Sequence, residues 1–235
     1  MHPLDGAYLR VERAGKHLAD FERRQKRRSD AHAKNLTYTF NPQTQRASII
    51  HKGGRPPQSA FAILTGEIVY NLRAALDYLV FELSAYDDPP GHERTQFPMD
   101  SDCKDFANRH KNWLKGLSGV HIAAIENLQP AFGCKWAEAL RDISNPDKHR
   151  HLTDNTAVVD GLLQLVLGDA TDWTDWPGKV FKAQGRRGGH VYDVYVYAEA
   201  PLEVTFRDRT PVSPTLQEIK RQVTATLDAF KPEFK

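Results

Sequence analysis

Cysteine is nearly absent. The 235 residues hold two, Cys103 and Cys134, too few for a disulfide framework and without the paired spacing of a zinc site. A reducing, cytosolic setting is the expectation. Charge of one sign is lacking as well: 32 Lys and Arg against 30 Asp and Glu leave a net charge of +2. That excludes a strongly basic nucleic-acid coat and an acidic tail protein, while leaving room for a local basic patch. No apolar run approaches the roughly 18 residues that cross a bilayer; stretches such as 74–76, 79–81 and 165–167 are short, so no membrane partner is expected. Residues 1–30 are rich in arginine without an apolar stretch, and no signal peptide is expected there. A phosphate-cradling glycine loop, a nucleophile elbow and a His-Glu-x-x-His zinc helix are all missing from the sequence. Neither metal nor cofactor is therefore expected.

What is present suits a folded chain. Hydrophobic residues make up 40 % and charged residues 26 %, an ordinary globular balance. A chain of this length can bury roughly 70–75 % of its unfolded surface and needs no staple. We expect a single domain over 1–235, with a helical core at about 59–152 and a sheet plus terminal helix at about 153–235.

Periodicity supplies the elements. Leu4, Ala7, Val11, Ala14, Leu18 and Phe21 line one face of a first helix, and the basic cluster Arg23–Arg28 falls in its last turns, where cations oppose the helix dipole. Runs at 35–40 and 46–52 flank Asn41-Pro42 as a hairpin. Residues 59 to about 86 form a long central helix through Phe61, Leu64, Ile68, Leu72, Ala75, Leu76, Leu79 and Leu83; its other side carries Glu67, Tyr70, Asn71, Arg73, Asp77 and Tyr78. Asp102 and Ser118 are caps for two shorter helices. A third, marked by Trp136, Leu140 and Ile143, is expected to break at Pro146 and restart with Asn145 as cap. The last third reads as an antiparallel meander, opening with a 156–167 hairpin turned at Asp160-Gly161. Ser213-Pro214 then starts a final helix. Strands do not alternate with helices, so the class is α+β.

The densest chemistry lies at 145–151. Asp147, Lys148, His149, Arg150 and His151 bring a carboxylate, two cations and two imidazoles into one stretch. His149 suits proton transfer near neutral pH, with Asp147 to orient it and Lys148 or Arg150 to stabilise an anionic transition state. His149 and His151, two apart, do not face each other on a helix and make a poor metal pair. On the long helix Glu67 and Asn71 are one turn apart, as are Arg73 and Asp77. A buried Asn71 must find partners, and packing of this helix beside the 145–151 turn would set Asn71, Arg73 or Asp77 against His149. The plain alternative is a surface turn and scattered surface charges. Arg186-Arg187 between Gly185 and Gly188-Gly189 reads as a solvated hairpin loop rather than a phosphate site. Trp113, Trp136, Trp173 and Trp176 are candidate pocket walls.

Gly66–Leu79, then Thr95-Gln96-Phe97-Pro98, then Asn145–Arg150 resemble a family of uncharacterised bacterial and phage proteins, over about 59–152. More distantly, the helical part resembles HEPN domains, small helical bundles that are often dimeric. The resemblance implies an α+β, HEPN-like bundle that binds RNA or a nucleotide as a homodimer. It also implies metal-independent ribonuclease chemistry, in which an arginine and a histidine are separated by four to six residues. Here Arg141 and His149 have seven between them, and Ser144 stands where the arginine usually precedes Asn145. Either Arg73 or Arg150 substitutes, or the chain is no nuclease. The expected catalytic set is His149, Asp147, Lys148, Asn145 and Arg73, and the binding set Asn71, Asp77, Arg150 and Glu67. Rival expectations are a non-enzymatic interaction module with a structural 145–149 turn, and a small-molecule enzyme with a pocket between helices and sheet.

Overall fold

The computed structural model describes residues 2–41, 46–51, 59–149, 156–159, 162–167, 179–187, 190–199 and 202–234. It divides into two compact units. One comprises residues 1–21, 59–155 and 210–235 and is helical; the other comprises 22–58 and 156–209.

The helical unit is organised by α1 (Asp5–Lys34), α2 (Ser59–Asp87), α5 (Lys135–His149) and α6 (Val212–Phe230). The apolar stripe of α1, from Leu4 to Phe21, is buried in full. Its partners show the helix directions. Phe21 meets Phe61 edge to face at 4.9 Å, and Arg10 reaches Asn71 and Tyr78, so α1 runs antiparallel to α2. Tyr8 donates to Asp228 at 2.6 Å while Gly15 lies against Lys220, so α1 is antiparallel to α6 as well. Helices α2, α5 and α6 pack pairwise. The helix α1 extends through Lys34, beyond the basic cluster.

Between α2 and α5 lie α3 (Cys103–Trp113) and α4 (Gly119–Glu126), capped as expected by Asp102 and Ser118, whose oxygens accept from the Lys104 and His121 amides. A single 3-10 turn, Pro130–Phe132, follows. One expectation fails here. Helix α5 runs unbroken to His149 through Pro146, so Asn145 is not an N-cap and no sharp break precedes it. Proline deletes one helical donor and crowds one carbonyl, and the packing of Ala137, Leu140, Ile143 and Ser144, all buried, outweighs that local penalty.

In the second unit β1 (Leu36–Asn41) and β2 (Arg46–His51) pair antiparallel, as the sequence suggests. Further along, β3 (Thr156–Val159) pairs with β7 (Leu202–Thr205), and β4 (Leu162–Leu167) and β5 (Lys179–Arg187) both pair with β6 (His190–Glu199). The expected β3–β4 hairpin is therefore not formed. A turn signal is local, whereas the ten-residue β6 offers two edges, and β4 takes one of them. The turn itself, Asp160-Gly161, lies outside the described residues, as do Gly188-Gly189, the 52–58 connector, Trp173 and Trp176.

The end of α2 is tied down by its last polar side chain. Asp87 Oδ2 accepts from the Ser118 amide at 2.7 Å and lies 2.6 Å from His121 Nδ1. His121 Nε2 is 3.9 Å from Glu233, and the rings of Tyr86 and Phe230 flank the imidazole. Partial burial pushes the Asp87 carboxyl up, but the Ser118 amide and His121 together hold it below the ordinary 3.8. A depressed native pKa gives stability that is present above the unfolded value and drains as pH falls through the native one. We expect wild type to lose stability steeply below about pH 4, and Asp87→Asn to be less stable at pH 7 with a flatter acid arm. Urea melts from pH 7 to 2 check this; parallel acid arms would contradict it.

Candidate functional site

Two arrangements in the helical unit use the residues singled out above. The first is a strap. Residues 95–100 have no regular secondary structure, and side chains of α2 fasten them. Asp77 Oδ1 accepts from the Phe97 amide at 2.9 Å. Arg73 donates through Nη2 to the Phe97 carbonyl at 3.4 Å and through Nη1 to Met99 Sδ at 3.1 Å. From the other side the Gln96 amide donates to the Trp113 carbonyl. Asp100 accepts from Arg109 at 2.6 Å, and its amide donates to Gln129. The Asn-Leu-Arg-Ala-Ala-Leu-Asp segment of α2 and the Thr-Gln-Phe-Pro segment are thus one structural unit.

Burial sets the electrostatics of the strap. Arg73 is 7 % exposed; desolvation lowers its pKa, while Asp77 and Asp100 nearby favour its charge. Burial pushes the Asp100 carboxyl up, and Arg109 opposes that. Arg73 Nε and Asp100 Oδ2 are buried without hydrogen-bond partners among the described residues. The Arg73 guanidinium, expected beside His149 as a catalytic group, is committed to the strap through both terminal nitrogens.

The second arrangement is a groove of about 500 Å³ between α1 and α2. Arg10, Arg13 and His17 line it from α1; Glu67, Tyr70 and Asn71 line it from α2. The α1 residues recur at i, i+3 and i+7, hence on one face. Asn71 is 6 % exposed and finds the partners that burial demands: its Nδ2 donates to the Glu67 carbonyl at 2.8 Å, and its Oδ1 lies 3.4 Å from Arg10 Nη1. Arg10 also donates to Tyr78 Oη at 3.0 Å and stands over that ring. Glu67 Oε2 is 3.1 Å from His17 Nδ1. Tyr70 is 60 % exposed. Arg13 makes no hydrogen bond or ion pair among the described residues, so its charge is available to a ligand.

Of the expected binding residues, the groove gathers Glu67 and Asn71, the strap takes Asp77, and Arg150 lies outside the described residues. Of the expected catalytic residues, Arg73 belongs to the strap. Asn145, Asp147, Lys148 and His149 occupy the last turns of α5, and their side chains lie outside the described set, as does His151. Tyr70 was named only among the polar side of the long helix, and Arg10, Arg13 and His17 were not singled out from sequence. Their signal was there in the three- and four-residue spacing of cations beside the apolar stripe of α1. Among the described residues no group of His, Cys, Asp and Glu could hold a metal, and no helix is long and apolar enough to cross a membrane.

In comparisons with family models, curated proteins and solved structures, nothing matches the chain.

The strap makes a stability claim. Asp77→Ala leaves the buried Phe97 amide without its acceptor, which costs about 1–3 kcal/mol. Arg73→Met removes the buried guanidinium and frees the Phe97 carbonyl, a loss of similar size. Both should lower the urea midpoint, with a non-additive double variant because the two act on one segment. Unchanged midpoints would show that the strap is held elsewhere.

Proposed function

We propose that the protein binds RNA through the α1–α2 groove of a HEPN-like helical bundle, in a cytosolic setting. The observation that carries this reading is the pairing of Arg13 with an exposed Tyr70 across one groove. Cations track the phosphates and an aromatic face takes the bases, the combination by which proteins hold single-stranded nucleic acid. Arg10 adds positive potential, making this face a local basic patch on a chain of near-zero net charge. The bundle carries the C-terminal antiparallel sheet as its second part in this reading.

Cleavage would fall to His149. With α5 continuous, positions 145 and 149 are one helical turn apart, a spacing that suits joint work by Asn145 and His149. In this reading Asp147 and Lys148 assist, and Arg73, held by the strap, takes no direct part. A second reading, a non-enzymatic interaction module, draws support from the commitment of Arg73 and Asp77 to the strap.

One experiment separates them. Binding of a single-stranded oligoribonucleotide is followed by anisotropy across salt, then the same mixtures are incubated in EDTA. Affinity should fall as salt rises, with Arg13→Ala weaker and its log–log slope shallower by about 0.7 for one lost phosphate contact. Tyr70→Ala should lose about 1–3 kcal/mol. Cleavage by wild type and not by a folded His149→Ala variant would support ribonuclease chemistry. Binding without cleavage by either would favour the interaction module, and no binding would overturn the proposal.

A further inference from the structure

We infer that the α1–α2 groove selects a guanosine phosphate, either free or as one nucleotide of an RNA strand; the inference rests on the RNA-binding reading and adds the base. Three features of the groove point to a purine with two adjacent donors. The first is its floor. Gly66 is buried in the interior of α2 and lines the groove, at a position where glycine weakens a helix relative to alanine. Helical side chains lean over the turn N-terminal to their own Cα. Tyr70, one turn beyond Gly66, therefore leans over a stretch of backbone that carries no Cβ. The Tyr70 ring is 60 % exposed and offers a face on which a base can stack.

The second feature is the edge of the groove. Glu67 shares this turn of α2 and opens to solvent. His17 lies at its Oε2, and Oε1 has no partner among the described residues. An ionised carboxylate only accepts, and it has room for several donors. Guanine alone offers two neighbouring donors on its pairing edge, N1–H and the N2 amino group, which match the two carboxylate oxygens. Adenine sets an acceptor beside its amino group, and so does cytosine. Uracil flanks one N–H with two carbonyls. Each of these places a lone pair against the carboxylate, and a site built for two donors discriminates against it.

The third feature is the cation. Arg13, on the facing helix and without a partner among the described residues, suits the phosphate as a bidentate donor. Arg10 is held by Asn71 and Tyr78, and so supplies a fixed positive charge. Base, carboxylate and phosphate partners thus come from two antiparallel helices within one unit.

The test is equilibrium binding of GMP, AMP, CMP and UMP to the full chain, beside an oligouridylate with and without one internal guanosine. Variants are Glu67→Gln, which replaces one acceptor by a donor, and Tyr70→Ala, which removes the exposed stacking ring; unchanged melting temperatures verify that both fold. We expect GMP, or the guanosine-containing strand, to bind about tenfold or more tighter than its competitors. Glu67→Gln should erase that preference while leaving residual binding, and Tyr70→Ala should weaken all binding. Preference for the strand with no binding of free GMP identifies the strand as the source and upholds the inference. Equal affinity for all four nucleotides that still depends on Arg13 overturns the guanine inference and leaves the RNA reading intact. Absence of binding by every nucleotide and oligonucleotide overturns both.

Discussion

Helix α2 is buried along most of its length and around most of its circumference, so the polar groups on its covered sides must find partners inside the protein. That constraint organises the helical unit. Asn71 is answered by the Glu67 carbonyl and Arg10, Arg73 and Asp77 by the strap, and Asp87 by Ser118 and His121. Ser84 follows the same rule, donating to the Lys115 carbonyl at 2.9 Å and accepting from the His92 amide at 3.2 Å. Each bond pins a different segment to the same helix. The loops after α2 are thereby fixed by side chains of α2 itself. Gly116, at φ +85°, approaches Ser84 and His92 so closely that no side chain fits there, which records how tightly that wrap is drawn.

Leaving polar partners unmet in such a core costs more than meeting them gains. The network therefore acts as a specification more than a source of net stability. An Arg73 guanidinium placed against a backbone carbonyl and a thioether tolerates only one register of residues 95–100. The exposed side of α2 escapes this demand, and Glu67 and Tyr70 are found there, facing the cations of α1. The structural contacts and the proposed ligand contacts thus occupy successive turns of one helix, a few residues apart.

The helices were largely legible in the sequence because their periodicity is strong. All six apolar positions from Leu4 to Phe21 and all eight from Phe61 to Leu83 are buried, and Asp102 and Ser118 cap where their side-chain chemistry requires. Less legible were features that depend on distant partners. Pro146 is a local breaker overridden by packing, and β3 finds β7 rather than its neighbour β4. The candidate site was read in part. Asn71 at the stripe edge announced a buried polar group, but nothing in the spacing of Arg73 and Asp77 told that they would turn to Phe97. Tyr70 and Arg13 lie 57 residues apart, and only the antiparallel pairing of α1 and α2 makes them one groove.

The central claim is that ligand engages the Glu67–Asn71 turn of α2 while the Arg73–Asp77 turn holds the strap. Hydrogen exchange read peptide by peptide, with and without a guanosine-containing oligoribonucleotide, tests this most directly. The account predicts added protection in peptides covering 8–18 and 60–72, with those covering 95–100 already slow and unchanged. Protection confined to other parts of the chain, or a strap that exchanges freely in the unliganded protein, would contradict it.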